Sequence, residues 1–154
     1  DTHADYKDEN TLTTIVTPYY KQNCSMVLGT YMMTDFNMNM IAPGIIDHKE
    51  WTPDNGRNNA LRINGLGAPR AFYTPVLREV KVPNTSYGED YALGLNFSRQ
   101  YQIGRVYDVV YLCRRWDDNS DASLDIVKMN GHNLYKDRIR TWELQARIAL
   151  NKKK

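Results

Sequence analysis

Apolar positions concentrate in three parts of the chain, and each predicts an element. Ser25 to Phe36 carries Met26, Val27, Leu28, Tyr31, Met32 and Met33, a run that reads as a buried strand. Ile103 to Arg115 places Val, Tyr and Leu in succession and predicts a second strand, ending in Arg114-Arg115-Trp116. Near the end, Tyr135, Ile139, Trp142, Ala146 and Ala149 recur at spacings of 4, 3, 4 and 3, an apolar stripe along one helix face. Asn130-Gly131 is expected to interrupt the stretch from 121 to 151, with Ser120 or Ser123 capping the helices that follow the Asp117 to Ser120 turn.

The remaining segments are weaker. Residues 8–20 predict a short helix entered through a polar cap and stopped near Pro18. From Ile41 to Asn64 the pattern breaks up around Pro43-Gly44 and Pro53-Asp54-Asn55-Gly56, which predicts a long loop with turns. Gly65 to Tyr73 leads into a helical stretch ending near Val80, and Pro83-Asn84 makes the next turn. A further helix is expected from Glu89 through Leu93, Leu95, Phe97 and Tyr101 to about Gln102.

With 154 residues, 42% hydrophobic and 25% charged, the chain reads as one globular domain with a sizeable core. It carries no apolar run of membrane-spanning length and no signal-peptide pattern, which reads as cytosolic. Cys24 and Cys113 lie far apart without a CxxC spacing, so reduced thiols are expected and a zinc site has no support. A net charge of +2 argues against a protein built to hold nucleic acid. The charge is uneven: Asp1, Asp5, Asp8 and Glu9 open the chain, and Lys or Arg dominates from Lys136 to Lys154. That basic end reads as a solvated helix face, with peripheral association at the inner face of a membrane as the alternative. The acidic start without a methionine is expected to mark a piece of a longer protein.

The most chemically suggestive run is Tyr87-Gly88-Glu89-Asp90-Tyr91-Ala92-Leu93-Gly94-Leu95, which puts two acids in a Gly-containing turn at a helix start. Two acids there can simply complement the helix dipole, or one can be a catalytic carboxylate. The 41–64 loop carries Asp47, His48, Glu50, Trp51, Arg57 and Arg62, residue types that engage sugars or phosphates. Gly65-Leu66-Gly67 lacks both phosphate-cradling patterns, G-x-G-x-x-G and G-x-x-x-x-G-K-[ST]. Five of the six methionines fall between 26 and 40, either filling a core or lining an adaptable surface.

The order of features from 65 to 116 resembles the acceptor-side half of family 2 glycosyltransferases: a Gly-rich turn, Ala71-Phe72-Tyr73, a helix, Gly88-Glu89-Asp90, a second helix, a strand and Arg114-Arg115-Trp116. The resemblance implies an α/β fold, a partial GT-A-type, Rossmann-like domain with a mixed sheet over residues 1–120, followed by a C-terminal helical extension with a basic tail over 121–154. It implies inverting transfer from a nucleotide-sugar donor to a saccharide or lipid-linked acceptor. Inversion needs a carboxylate to take the acceptor hydroxyl's proton opposite the leaving group, and the match makes Asp90 that base and Glu89 its neighbour.

A divalent cation, Mg²⁺ or Mn²⁺, is implied for the leaving diphosphate. Asp1 resembles the last aspartate of the family's Asp-x-Asp metal motif, with His3 and Asp5 beside it as helpers or as a solvated acidic loop. Arg115-Trp116 resembles the end of the Q-x-x-R-W motif, although Leu112 stands where Gln is expected, which weighs against processive synthesis. Arg114, Arg115 and Trp116 are therefore the expected donor-diphosphate contacts, and Trp51, Arg70 and Tyr73 the expected acceptor contacts. The family's nucleotide-binding strand-helix repeats are not found in these residues, so the chain alone is expected to be inactive. Two other readings remain open: a non-catalytic carbohydrate- or protein-binding module stacking on Trp51, Tyr73 and Trp116, and an anionic-surface module using the basic end.

Overall fold

The computed structural model describes residues 4–85, 87–116 and 125–153. It is an α/β structure built on one mixed sheet, as expected. Strand β1 (Ala4–Tyr6) is followed by helix α1 (Thr11–Lys21), β2 (Met26–Thr34), β3 (Met40–Ile46), a 3-10 turn (Pro53–Asn58), α2 (Asn59–Arg62), β4 (Arg70–Phe72), α3 (Thr74–Val80), α4 (Glu89–Gln100), β5 (Ile103–Arg114) and α5 (Ile126–Asn151).

The sheet is ordered β1-β5-β2-β3, with β4 also on β2. β2 is parallel to β5 along one edge. Its other edge is divided: Met26, Val27 and Leu28 pair with β4, and Tyr31, Met32 and Thr34 pair with β3, both antiparallel. A strand with both edges paired and both faces covered reads as a near-continuous apolar run, which is why Met26–Thr34 was legible. Met26 and Leu28 pack with Leu66, Tyr91, Leu95, Phe97 and Ile139. Val27 points the other way, to Ile15, Cys24, Val106 and Val110. Gly29 has no room for a side chain, since an added Cβ would lie 2.6 Å from Pro69 Cδ.

Three expectations are corrected. α1 does not stop near Pro18 but runs to Lys21 with Pro18 inside it. Proline removes one helical hydrogen bond, yet Pro18 is buried, and its carbonyl accepts the Gln22 N–H at 2.8 Å and the Cys24 thiol at 3.4 Å. The 41–64 segment is not all loop, because Met40–Ile46 pairs with β2 as an edge strand. An edge position with an irregular register between Met32 and Thr34 tolerates the Pro43-Gly44 that hid the strand. Asn130-Gly131 does not interrupt α5, which is continuous from Ile126 to Asn151. A glycine in an exposed helix interior costs only about 1 kcal/mol, and Asp125 caps the helix by accepting the Lys128 N–H at 2.8 Å. The Ser120 and Ser123 caps lie outside the described residues.

The apolar stripe of α5 is also rotated from expectation. Tyr135 and Ile139 face the core, but Trp142 is 59% exposed and Ala149 is exposed. The inward position is taken by Glu143, 4% exposed, which pairs with Arg99 of α4 at 2.6 Å and with Arg147 at 2.8 Å. Arg147 also donates to the Ser98 hydroxyl, the Arg57 carbonyl and the Asn58 side chain. Among the described residues no helix is long and apolar enough to cross a membrane.

Removing one partner of a buried, hydrogen-bonded ion network strands the remaining charges. Glu143→Ala is therefore expected to lower unfolding free energy by about 3 kcal/mol, with Glu143→Gln less damaging, as read from urea midpoints. A loss below about 1 kcal/mol for the alanine variant would show that Glu143 does not fasten α5.

Candidate functional site

β3 ends at Ile46 and β4 begins at Arg70, so the chain between them leaves the divided edge of β2 and returns to it. This excursion forms one wall of an open pocket of about 590 Å³, and the start of α4 forms another. The chemical groups facing the pocket include Tyr31, His48, Glu50, Asp90 and Lys136. A larger cleft of about 850 Å³ lies between the 3-10 turn and the end of α5. Its arginines are committed, Arg99 and Arg147 to Glu143 and Arg57 to the Gln100 carbonyl, whereas the smaller pocket gathers carboxylates, an imidazole and a phenol.

Gly88 precedes α4 with φ 72, and an added Cβ there would come within 3.0 Å of the Tyr135 ring. That turn delivers Glu89 and Asp90 into the first helical turn. Asp90 lines the pocket and Glu89 does not. Asp90 Oδ1 accepts the Tyr91 N–H at 2.7 Å, and Oδ2 is paired with Arg70 Nη1 at 2.6 Å. The same Arg70 nitrogen donates to the Gly67 carbonyl. Arg70, on β4, thus ties the acid of α4 to the glycine loop. Gly67 has φ 62, and an added Cβ would lie 2.6 Å from Tyr31 Cε1, so only glycine lets the Tyr31 ring close on the loop.

His48 sits in the left-handed region at φ 50, and its Nε2 lies 3.1 Å from the Leu66 carbonyl. A carbonyl only accepts, so Nε2 carries the hydrogen and Nδ1 is left as an acceptor. Burial, then the neighbouring Arg105 charge, pushes the His48 pKa down and favours the neutral ring. Arg105 is only 4% exposed, donates to the Asp47 carbonyl at 2.8 Å and lies 5.3 Å from the centre of the Trp51 ring and 5.4 Å from that of Tyr107. It anchors the start of the excursion from below, and burial lowers its own pKa.

The remaining candidates divide. Arg114, Arg115 and Trp116 gather where β5 ends. Arg114 pairs with Asp5 and lies 5.5 Å from the centre of the Phe36 ring, Phe36 meets Trp116 edge-on at 6.1 Å, and the Arg115 N–H donates to the Thr34 carbonyl at 2.8 Å. Tyr31 links this end to the Asp90 pocket: burial raises its pKa, reinforced by Cys113 and opposed by Arg115 and Arg70, so both arginines act on one phenol. Trp51 and Tyr73 do not line the pocket; Trp51 packs against the core beneath Arg105 and Tyr73 is 53% exposed just before α3. Asp1 and His3 lie outside the described residues, and no group of three His, Cys, Asp or Glu among the described residues is placed to hold a metal. Tyr31, Arg105 and Lys136 were missed in the sequence because nothing local marks them: Tyr31 hides in an apolar strand, and Lys136 reaches the pocket from α5.

The pocket meets β2 at Tyr31, in the carboxyl-terminal half of that strand. No protein-family model and no curated protein matches the sequence. Solved structures do match the fold. One is Staphylococcus aureus TarS, residues 1–349, in complex with UDP-GlcNAc, with a TM-score of 0.56 and 13% identity over 92% of this chain. The chain spans 45% of the length of that TarS structure. At this identity the likeness shows the fold alone.

A lowered His48 pKa has a definite stability signature. As pH falls, the unfolded imidazole near its ordinary 6.5 takes up a proton before the folded one, so stability is full above that value and is lost as pH drops through the depressed folded value. His48→Gln is expected to flatten this acid-side loss in urea midpoints measured above and below 6.5, relative to the unchanged chain. An identical slope in both would remove the assignment.

Proposed function

We propose that the chain supplies the acceptor side and catalytic base of an inverting, family 2-like glycosyltransferase. The observation that carries the reading is Asp90 itself: a carboxylate in the first turn of α4, on the wall of an open pocket, fixed by Arg70 and the Tyr91 N–H. In this reading an acceptor hydroxyl of a saccharide or lipid-linked acceptor enters beside Asp90. As its oxygen bonds to the anomeric carbon, the carboxylate takes the hydroxyl proton. The bond from that carbon to the donor diphosphate breaks on the opposite face, which inverts the configuration.

Each carboxylate oxygen has two lone-pair sites, so Arg70 and Tyr91 hold Asp90 without using up its capacity to accept a proton. Arg70 acts as the positioning clamp and Glu89 as a flanking acid. Arg114, Arg115 and Trp116 are assigned to the donor diphosphate side, and His48 and Tyr31 to the acceptor wall. Trp51 enters this reading as the support beneath the wall and Tyr73 as a more distant acceptor contact. A divalent cation held from Asp1 and His3 would neutralise the leaving diphosphate. The nucleotide-binding part is supplied from outside these residues. UDP-GlcNAc is the first donor to test, since the TarS structure of like fold holds it.

In a protein that contains this chain and consumes a nucleotide sugar, Asp90→Asn is expected to lower kcat by about 10²- to 10⁴-fold with little change in donor KM. Unchanged turnover would remove the base assignment. Glycan binding with no consumption of any nucleotide sugar, with or without added Mn²⁺, would support the non-catalytic module instead.

A further inference from the structure

Three tyrosines from three strands stand in one row across the sheet. Tyr6 of β1 is directly opposite Tyr111 of β5, and Tyr111 is directly opposite Tyr31 of β2. The ring centres are 6.4 Å apart for Tyr6 and Tyr111 and 6.5 Å apart for Tyr111 and Tyr31, at interplanar angles of 72° and 89°. The next residue across, Ile46 of β3, pairs with Tyr31, and both line the Asp90 pocket. The row therefore starts on the outside of the molecule and ends inside the candidate site.

Cross-strand aromatic pairs ordinarily stabilise a sheet by covering one another. That explains Tyr111 and Tyr31, which are half-buried, but not the outer member. Tyr6 is 61% exposed on a three-residue edge strand, where its ring covers little and costs exposed apolar surface. At the inner end, the Tyr31 ring leans on Gly67, whose carbonyl is bound by the arginine that clamps Asp90. Burial raises the pKa of both Tyr31 and Tyr111, so their hydroxyls stay protonated and able to donate. Apolar ring surfaces combined with hydroxyl donors, leading to a pocket walled by Asp90, His48 and Glu50, match a ligand with both C–H faces and hydroxyl groups.

We propose that Tyr6, Tyr111 and Tyr31 form a carbohydrate-stacking track that carries a saccharide chain across the sheet into the Asp90 pocket. The inference rests on the acceptor reading above and extends it: the acceptor is an oligomer whose successive sugars lie along the row, not a single sugar held only at the pocket. A peptide rich in proline is the other ligand class that aromatic rows take. The polar pocket at the end of this row favours the saccharide.

The test uses the 154-residue chain with ring-labelled tyrosine and backbone labelling, titrated with N-acetylglucosamine oligomers from dimer to hexamer, with malto-oligomers of the same lengths, and with a polyproline peptide. The longest oligomer of a series is expected to shift the ring signals of all three tyrosines together with the Gly67 amide and the His48 ring. Tyr6→Ala should weaken binding of that oligomer about fivefold and leave the dimer's affinity unchanged, while Tyr6→Phe keeps the ring and the affinity. If Tyr6→Ala unfolds, the ring shifts of the unchanged chain decide the question. Shifts at Gly67 and His48 with silent tyrosines would overturn the track and leave the acceptor reading standing. Shifts at the tyrosines with silent Gly67 and His48 would overturn the proposal and the acceptor reading together, because the saccharide would then not reach the pocket. No response to any oligomer, or a response of the row to polyproline alone, would overturn the track.

Discussion

The structure depends on β2 having both of its edges filled. Its parallel partner β5 occupies one edge over most of its length, and the other is shared between two short antiparallel strands. Sharing an edge leaves a junction, and the chain between the two partners must leave the sheet there and come back. That departure carries His48 out, brings Gly67 back, and sets Arg70 on β4 at the point where it meets the first turn of α4. The pocket follows from strand pairing before any of its side chains is considered.

The helical side is fastened by a different force. α5 meets α4 through a buried carboxylate shared by two arginines, not through a continuous apolar seam. Such a contact needs close geometry, because each charge must find its partner to offset its desolvation. It is extended by Arg140, which donates to the Tyr91 hydroxyl at 2.7 Å and to the Ile63 carbonyl at 2.8 Å. Tyr91 in turn donates its hydroxyl hydrogen toward the Ala60 and Ile63 carbonyls, so α5, α4 and the α2 segment share one polar junction. Tyr91 is the residue next to Asp90, which couples the C-terminal helix to the placement of the acid.

What could be read from the sequence tracks how local each signal is. β2, β5 and α4 announce themselves because burial on two faces, or a helical repeat behind two acids, is written in consecutive residues. β3 was hidden because Pro43-Gly44 looks like a turn, and only the neighbouring strand makes an edge of it. Pro18 and Gly131 look like breaks because their local cost is real, and packing and capping outweigh it. The inner face of α5 does not show in the apolar pattern because the decisive residue is charged: Glu143 is buried by partners 44 and 4 positions away. In the same way the acidic pair was legible and the division between its members was not, since only the fold turns Asp90 into the pocket and brings Arg70, 20 residues earlier, onto it.

Gln22, at the end of α1, has a wider consequence. Its side-chain amide accepts the Arg105 N–H at 2.8 Å and donates to the Arg105 carbonyl at 2.9 Å, which is the pair of bonds a neighbouring strand would make. β1 covers only the far end of β5, so at Arg105 the sheet is closed by one side chain acting as a surrogate strand. An unprotected row of backbone groups is a template for a second chain. The Gln22 amide thus occupies the backbone groups that a second chain would pair with at Arg105, on the strand whose Arg105 side chain supports the wall of the site.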